Sequence, residues 1–287
     1  MPTSTRKCLS VNSRREITAR MSRQSVCCAH DLRPSFSIES KVAFILRYPS
    51  PFRSHFDIRA SHYASKQSIQ PVMASLTLYG YYRSSCSARL RIALDLKAIE
   101  YKSVYINLNK GEHLEDGYGA RNPSRSVPTL MVDDSWCIPQ SMAALEYLEE
   151  AYPQSISLLP ADVKSRADIR TLADIIAVDT QPPTNDTPMK RAESSGADRL
   201  EWAKFFTERG LKAFETVVSR TAGQYCCGDT ITLADVCLVP ALWNAEKFGV
   251  AIESFPTISR IYGVLKVHPS FIKSHWHNQP DCPEELR

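Results

Sequence analysis

The chain has 287 residues, of which 43% are hydrophobic and 23% charged, so it can form two ordinary domains that need no disulfide or metal support. The formal net charge is +4, and the basic excess lies in residues 1–72, which hold 12 Lys and Arg against 4 Asp and Glu. The rest of the chain is mildly acidic and offers no basic cluster for binding nucleic acid. Nine irregularly spaced cysteines favour a reducing compartment, and the absence of any run of about 18 apolar residues argues against a membrane span.

Residues 1–73 are predicted to be a targeting segment or a disordered extension. They are rich in Ser and Arg, poor in acidic residues and interrupted by prolines. Arg recurs at helical intervals between Arg6 and Arg23, which is typical of an organelle transit peptide. Alternatively, the working protein begins at Met73, directly before the first strong strand signal. We expect a cytoplasmic protein, or a mitochondrial one if residues 1–72 act as a transit peptide.

Residues 74–155 are predicted to form a thioredoxin-like domain. Short β-prone runs alternate with one buried and one amphipathic helical pattern. The expected order is a strand at 76–79, a helix at 88–96, strands at 101–108, 127–132 and 136–138, and a helix at 141–152. A strand-helix-strand unit followed by a hairpin and a closing helix makes a small mixed sheet.

Residues 156–287 are predicted to form an all-helical domain. Strand signals almost vanish after residue 162, and helical periods cover 167–178, 198–220, 232–248 and 258–268. The fold class is therefore α/β plus all-α.

The run from Ser84 to Ser87, Ser-Ser-Cys-Ser, lies between a predicted strand and a helix. The free N–H groups and the dipole at a helix N-terminus stabilise a negative charge by about 0.3 to 1 kcal/mol. A serine hydroxyl there could donate a hydrogen bond to a cofactor thiolate, or Cys86 could itself become the thiolate. The serines could also be ordinary helix N-caps.

Two further positions could hold a ligand. A cis bond at Val127–Pro128 would leave the Val127 backbone groups free for an extended peptide, although a trans proline is expected from its frequency in proteins. Gln140 and Ser141 open a helix whose N–H groups could receive a carboxylate, or they could simply cap it.

Two other motifs are assigned no chemistry. Thr232 and Asp235 fit a capping box at the start of a helix. His275 and His277 lack a further Cys or carboxylate at ligand spacing, so we expect no metal site.

Residues 78–94 closely resemble zeta-class glutathione transferases, the maleylacetoacetate isomerases, whose signature includes Ser-Ser-Cys. The resemblance covers about residues 75–287 and continues through the segments 122–123, 127–130, 140–141, 146–150, 228–229, 232–240, 255–259 and 279–281. It implies the glutathione transferase fold, glutathione as cofactor and a homodimer. The implied reaction is the isomerisation of maleylacetoacetate to fumarylacetoacetate in tyrosine and phenylalanine breakdown.

The resemblance also implies roles for individual residues. Ser84, with Ser85 and Cys86 beside it, would form the catalytic centre at the glutathione sulfur. The remaining glutathione contacts would come from Ser87, Arg89, His113, Val127, Pro128, Gln140, Ser141, Gln181 and Asn185, the last two on the first helix of the second domain. Lys247 and Arg83 would bind the substrate.

Three departures from the family pattern concern the substrate side. Ala88 replaces a tryptophan, Lys247 replaces an arginine and thereby loses bidentate carboxylate geometry, and residues 181–188 are rich in proline. Three alternatives therefore stay open. One is a related transferase acting on haloacids or other small electrophiles, another is a non-catalytic interaction module, and the third is an enzyme with Cys86 as a redox centre.

Overall fold

The computed structural model describes residues 74–287, and the predictions made for residues 1–73 lie outside this range. The described residues belong to one compact unit. A four-stranded sheet with its helices comes first in the chain, and helices follow, which confirms the predicted fold class. The boundary near residue 155 stays a prediction, because one continuous apolar core runs through both parts.

The sheet is mixed, with strand order β2-β1-β3-β4. Its strands are β1 (Leu76–Gly80), β2 (Lys102–Tyr105), β3 (Thr129–Val132) and β4 (Trp136–Ile138). β1 pairs in parallel with β2 and antiparallel with β3, where Leu78 lies opposite Leu130. Every residue of the edge strand β2 is exposed, so the sheet buries its central strands.

Helix α1 (Ser85–Leu96) lies at the centre of the molecule. It packs against α3 (Ser141–Ala151), α7 (Leu233–Lys247) and α9 (Pro269–Ser274). Because neighbours surround it, nearly every residue from Ser85 to Leu94 is buried, as the apolar run at 90–96 predicts. The residues that begin α1 are therefore positioned by the helices packed around them.

The remaining helices are α2 (Asp116–Gly119), α4 (Val163–Asp174), α5 (Asp186–Glu193), α6 (Arg199–Val218) and α8 (Pro256–Leu265). α2, α5 and α9 have no counterpart among the predicted helices, because they are too short to show a helical period. The predicted capping of α7 is confirmed, since the buried Asp235 carboxylate accepts hydrogen bonds from the Thr232 N–H at 2.8 Å and its hydroxyl at 2.9 Å.

The proline-rich segment ends α4 instead of continuing it. A π-helical turn, Ile175–Thr180, is followed by a 3₁₀ turn, Pro182–Thr184, with a proline in its first turn. The missing proline N–H groups prevent a continuous helix here. Gln181 and Asn185 therefore lie at a break between two helices, and the expectation that they share the first helix of the second part is wrong.

Candidate active site

Ser84 is the N-cap of α1. Its backbone is extended, and its Oγ accepts a hydrogen bond from the Ser87 N–H at 3.1 Å. A hydroxyl that accepts one hydrogen bond still has its own proton to donate. The capping role and the proposed donation to a sulfur are thus compatible in one side chain.

Cys86 lies one residue inside the helix as a half-buried free thiol, and Ser85 is buried beside it. The first N–H groups of a helix have no partner within the helix and attract negative charge. The start of α1 therefore offers a hydroxyl, a thiol and unpaired N–H groups within three consecutive residues.

Ser87 and Arg89 point into the protein. Ser87 is fully buried, and its Oγ accepts a hydrogen bond from the Tyr81 N–H at 3.4 Å, which favours a structural role for this side chain. Arg89 is 2% exposed and donates through Nη1 to the Ser141 Oγ at 3.2 Å. Its Nε and Nη2 are buried and have no hydrogen-bond partner within residues 74–287. A buried positive charge with two unused donors thus lies beneath the first residue of α3.

The peptide bond between Val127 and Pro128 is cis, so the expectation of a trans bond is wrong. Within the described residues, neither backbone group of Val127 pairs with another backbone group. The preceding loop is fixed by the Tyr118 hydroxyl and the Asn122 amide, which both bond the Ser126 carbonyl, at 2.6 and 2.7 Å. Val127 therefore presents its N–H and C=O beside the sheet.

The N-terminus of α3 has no side-chain cap. Gln140 occupies the N-cap position with an exposed side chain that makes no capping hydrogen bond, and Ser141 is buried. No acidic residue lies in the first turn. Together with the Arg89 guanidinium, this helix start is suited to bind a carboxylate.

The helix break brings Gln181 and Asn185 together, with the Gln181 amide donating to the Asn185 side-chain oxygen. His113, in the 3₁₀ turn Glu112–Leu114, has a buried Nδ1 without a partner among residues 74–287. Burial lowers the pKa of His113; the charge of Lys190 lowers it further and that of Asp186 raises it. His113 therefore interacts electrostatically with these two residues of α5.

Lys247 and Arg83 are two cationic side chains that come from different parts of the fold. Lys247 is in the last turn of α7, and Arg83 precedes the N-cap of α1. Burial lowers the pKa of Lys247, and the charges of Arg83 and Arg199 lower it further, whereas Asp186 raises it. Asp186 is itself ion-paired with Lys190 at 2.7 Å and with Arg199. The two candidate substrate residues therefore act on each other electrostatically.

Sequence reasoning missed the supporting residues Tyr118, Arg91 and Asp281. Arg91 is buried on α1 between the apolar residues Leu90 and Ile92, and a second arginine two residues after Arg89 was the available signal. Tyr118 lies on a helix of four residues, which gives no periodic pattern.

His275 and His277 lie close together, with their ring centroids 4.9 Å apart. Across residues 74–287, no group of three His, Cys, Asp or Glu side chains is placed to hold a metal ion. Burial first, then the charges of His277, Arg91 and Arg83, lower the pKa of His275 to about 4. As for membranes, no helix in the described range is both long and apolar enough to cross one.

The chain matches two protein-family models and several known proteins, and these matches lie within or largely overlap the described residues. The model of the glutathione S-transferase N-terminal domain matches residues 83–151, and that of the C-terminal domain matches residues 179–275. The chain is 49% identical over 219 residues to the maleylacetoacetate isomerase of Aspergillus fumigatus, covering 74% of this chain and 95% of that protein. It is 44% identical over 212 residues to the maleylacetoacetate isomerase of Mus musculus, covering 73% and 96%.

Among solved structures, the chain is similar to the maleylacetoacetate isomerase of Anaeromyxobacter dehalogenans with GSH bound in the active site. The TM-score is 0.67 at 40% identity, and the match covers 73% of this chain and 99% of that one. The similarity therefore spans nearly the full length of these relatives.

Proposed function

The chain belongs to the glutathione S-transferase family, and from that premise we propose that it is a glutathione-dependent isomerase that converts maleylacetoacetate to fumarylacetoacetate. The observation that carries the proposal is the start of α1, where Ser84 caps the helix and keeps its hydroxyl proton for a sulfur. Relatives named maleylacetoacetate isomerase at 44 to 49% identity support the same reaction.

The residues present fit glutathione in three places. Ser84, Ser85 and Cys86 suit its thiol, and the free backbone groups of Val127 beside the cis Pro128 suit its peptide unit. The uncapped start of α3, with Gln140, Ser141 and Arg89, suits its γ-glutamyl carboxylate. The two unused Arg89 donors are the strongest sign of this fit, because buried charged donors in proteins are normally paired.

When bound, glutathione would supply a thiol whose reversible addition to the cis double bond leaves a single bond, about which rotation is possible. The Ser84 hydroxyl donates a hydrogen bond to the sulfur and favours its ionised form. The dipole of α1 acts in the same direction. Cys86 would lie beside the sulfur, and His113, Gln181 and Asn185 would supply further contacts to the bound glutathione.

Lys247 and Arg83 bind the carboxylates of the substrate. Both are cationic, and their mutual repulsion is relieved when an anion lies between them. Lysine in place of the arginine expected here keeps the charge but offers no bidentate fork. Substrate binding therefore rests more on charge than on geometry.

The alternative is a redox enzyme that uses Cys86, and the half-buried free thiol of this residue is the observation that supports it. It predicts that Cys86→Ala abolishes turnover and that Ser84→Ala matters less. The isomerase predicts the reverse order.

We also propose that the protein is a homodimer. Large apolar side chains remain exposed on β4 and along α4 and its π-helical extension, namely Trp136 at 55%, Val163 at 80% and Val178 at 62%. Light scattering coupled to size exclusion should give twice the monomer mass. Trp136→Glu should reduce that mass, and a monomeric wild type would contradict the proposal.

For the compartment, we propose cytoplasm, or mitochondrion if residues 1–72 act as a transit peptide. Fusion of residues 1–72 to a fluorescent protein distinguishes the two, and N-terminal sequencing of native material shows whether the mature chain retains this segment.

The function is tested by following the stable cis analogue maleylacetone with and without glutathione. We expect conversion to the trans product with glutathione unconsumed. A protein that binds glutathione, leaves maleylacetone unchanged and dehalogenates a small haloacid would be the alternative transferase. A protein that binds no glutathione would be the interaction module.

A further inference from the structure

The segment 276–282 near the C-terminus packs against the turn formed by residues 81–84, which leads into α1. Tyr81, Tyr82 and Cys282 form a small buried apolar cluster of their own. Val127, beside the cis Pro128, and Trp276 pack against this cluster. The segment therefore contacts the residues that lead into the start of α1, where Ser84 and Cys86 lie.

Asp281 fixes the backbone of the turn. Its Oδ2 accepts a hydrogen bond from the Tyr82 N–H at 2.8 Å, across 199 residues of sequence. The turn is closed by the Ser84 N–H, which donates to the Tyr81 carbonyl at 3.1 Å. Tyr82 is thus held two residues before the N-cap hydroxyl.

Arg91 fixes the same turn from within α1. Its guanidinium donates to the carbonyls of Tyr81 at 3.3 Å and Tyr82 at 3.2 Å, and also to the Ser274 carbonyl at 3.3 Å. Ser274 is the last residue of α9, which directly precedes the segment 276–282. One buried cation therefore joins the turn to the end of α9, two residues before that segment.

Trp276 contacts the remaining residue of the turn. The Arg83 guanidinium lies over its ring at 4.1 Å from the centroid, which is a favourable cation–π distance. The contact limits the directions that the long Arg83 side chain can take.

We propose that Asp281 is a positioning residue for Ser84, and that Trp276 is a positioning residue for Arg83, in the isomerase reaction on whose assignment this inference rests. Asp281 holds the turn so that the Ser84 hydroxyl meets the glutathione sulfur. Trp276 holds Arg83 towards the substrate carboxylate. The segment 276–282 is thus part of the catalytic apparatus although it contributes no group to the reaction.

Asp281 uses only one of its two carboxylate oxygens in the contact with the turn. Its second carboxylate oxygen, Oδ1, is buried and has no hydrogen-bond partner in the described part of the chain. A buried, unpaired carboxylate oxygen lowers stability. An amide would satisfy the Tyr82 N–H equally well, so Asp281→Asn should keep the positioning function and Asp281→Ala should lose it.

The first test compares Asp281→Ala with Asp281→Asn, and uses Glu285→Ala as a control that removes an exposed carboxylate from the same end of the chain. We expect Asp281→Ala to lower kcat by about ten- to a hundredfold, because small misplacements of a catalytic group have effects of that size. The thiol pKa of bound glutathione, read from thiolate absorbance, should rise in this variant. Asp281→Asn and Glu285→Ala should resemble the wild type in both measurements.

The second test compares Trp276→Ala with Trp276→Phe. The alanine variant should raise KM for maleylacetone several-fold without moving the thiol pKa, and phenylalanine, which retains a ring for Arg83, should restore KM. Folded variants with wild-type kcat, KM and thiol pKa would overturn the inference, as would an Asp281→Asn variant no better than Asp281→Ala. If the proposed function itself is wrong, the wild type will leave maleylacetone unchanged. The thiol pKa of bound glutathione can then still be compared between the wild type and the variants, so the two failures are distinguishable.

Discussion

A serine hydroxyl has one donor and two acceptor sites, and Ser84 uses an acceptor for the Ser87 N–H at the start of α1. The same bond that stabilises the helix therefore orients the oxygen. Cys86 has no such constraint, since it lies inside the helix as a half-buried thiol. At the scale of single residues, the geometry favours Ser84 as the group that acts on the sulfur.

Lys247 should make substrate binding sensitive to alkaline pH. Its pKa is lowered by burial and by Arg83, so its charged form is lost as pH rises through a value below that of an ordinary lysine. We expect KM for maleylacetone to rise in this range for the wild type. Lys247→Arg should keep KM constant there because arginine stays charged. A pH profile of KM that is identical in both proteins would contradict the role of Lys247.

Replacing Arg89 should weaken glutathione binding without lowering the stability of the glutathione-free protein. Its guanidinium is buried and only partly hydrogen-bonded, so Arg89→Met should leave the free energy of unfolding of the glutathione-free protein unchanged or higher. Glutathione binding measured by calorimetry should weaken by about tenfold, through loss of a charge-assisted bond of about 1.5 kcal/mol. Unchanged affinity with a large loss of stability would assign Arg89 a structural role.

At the scale of elements, the break between α4 and α5 shapes the site. The π-helical turn Ile175–Thr180 packs directly on α6 at Gly210, where an added Cβ would lie 2.7 Å from the Thr180 Cβ. Gln181 follows immediately, so the close approach of the two elements sets its position. The absence of a side chain at Gly210 is a packing requirement.

Gly210→Ala should therefore separate α6 from the turn. We expect a loss of about 1 to 3 kcal/mol in the free energy of unfolding, measured with urea, together with weaker glutathione binding. Gly263→Ala is the matched control, because nothing lies within 4 Å of an added Cβ on α8. It should stabilise the protein by about 0.5 to 1 kcal/mol through helix propensity. Equal effects of the two substitutions would refute the packing argument.

At the scale of the whole molecule, a buried ion pair joins the sheet-bearing part to the segment 156–158, which leads towards the helical part. Lys97, at the end of α1, contacts Glu149 of α3 at 2.6 Å, and the two side chains are 1% and 7% exposed. Glu149 also accepts from the Leu158 N–H at 3.0 Å, and Lys97 donates to the Ile156 carbonyl at 2.8 Å. The segment is thereby fixed to both helices.

Loss of one partner should be more harmful than loss of both. Lys97→Met leaves a buried carboxylate without its cation and should reduce the free energy of unfolding by about 3 to 5 kcal/mol. The double variant Lys97→Met, Glu149→Leu should recover part of that loss in urea denaturation. A double variant less stable than Lys97→Met would show that the backbone hydrogen bonds of Glu149 dominate.

The sequence predicts the order of strands and long helices because each has a clear period, as in the buried run of α1. It does not predict the cis bond at Val127, which depends on tertiary contacts of the loop held by Tyr118 and Asn122. It assigns Gln181 and Asn185 to a helix although they lie at a break between two helices, because prolines predict a break without giving its geometry. The hydrogen bond between Asp281 and Tyr82 spans 199 residues and has no local signature.

The Ser84 hydroxyl is the central group of the proposed reaction, and the decisive measurement is kcat for glutathione-dependent isomerisation of maleylacetone by Ser84→Ala, Ser84→Thr and Cys86→Ala. Threonine keeps both the cap and the donor, so Ser84→Thr controls for the loss of about 1 kcal/mol of capping energy. We predict that Ser84→Ala lowers kcat by about a hundredfold or more, as loss of a preorganised donor does, while Ser84→Thr and Cys86→Ala retain substantial turnover. Loss of turnover in Cys86→Ala with an active Ser84→Ala would contradict this role of Ser84 and make Cys86 the reactive centre.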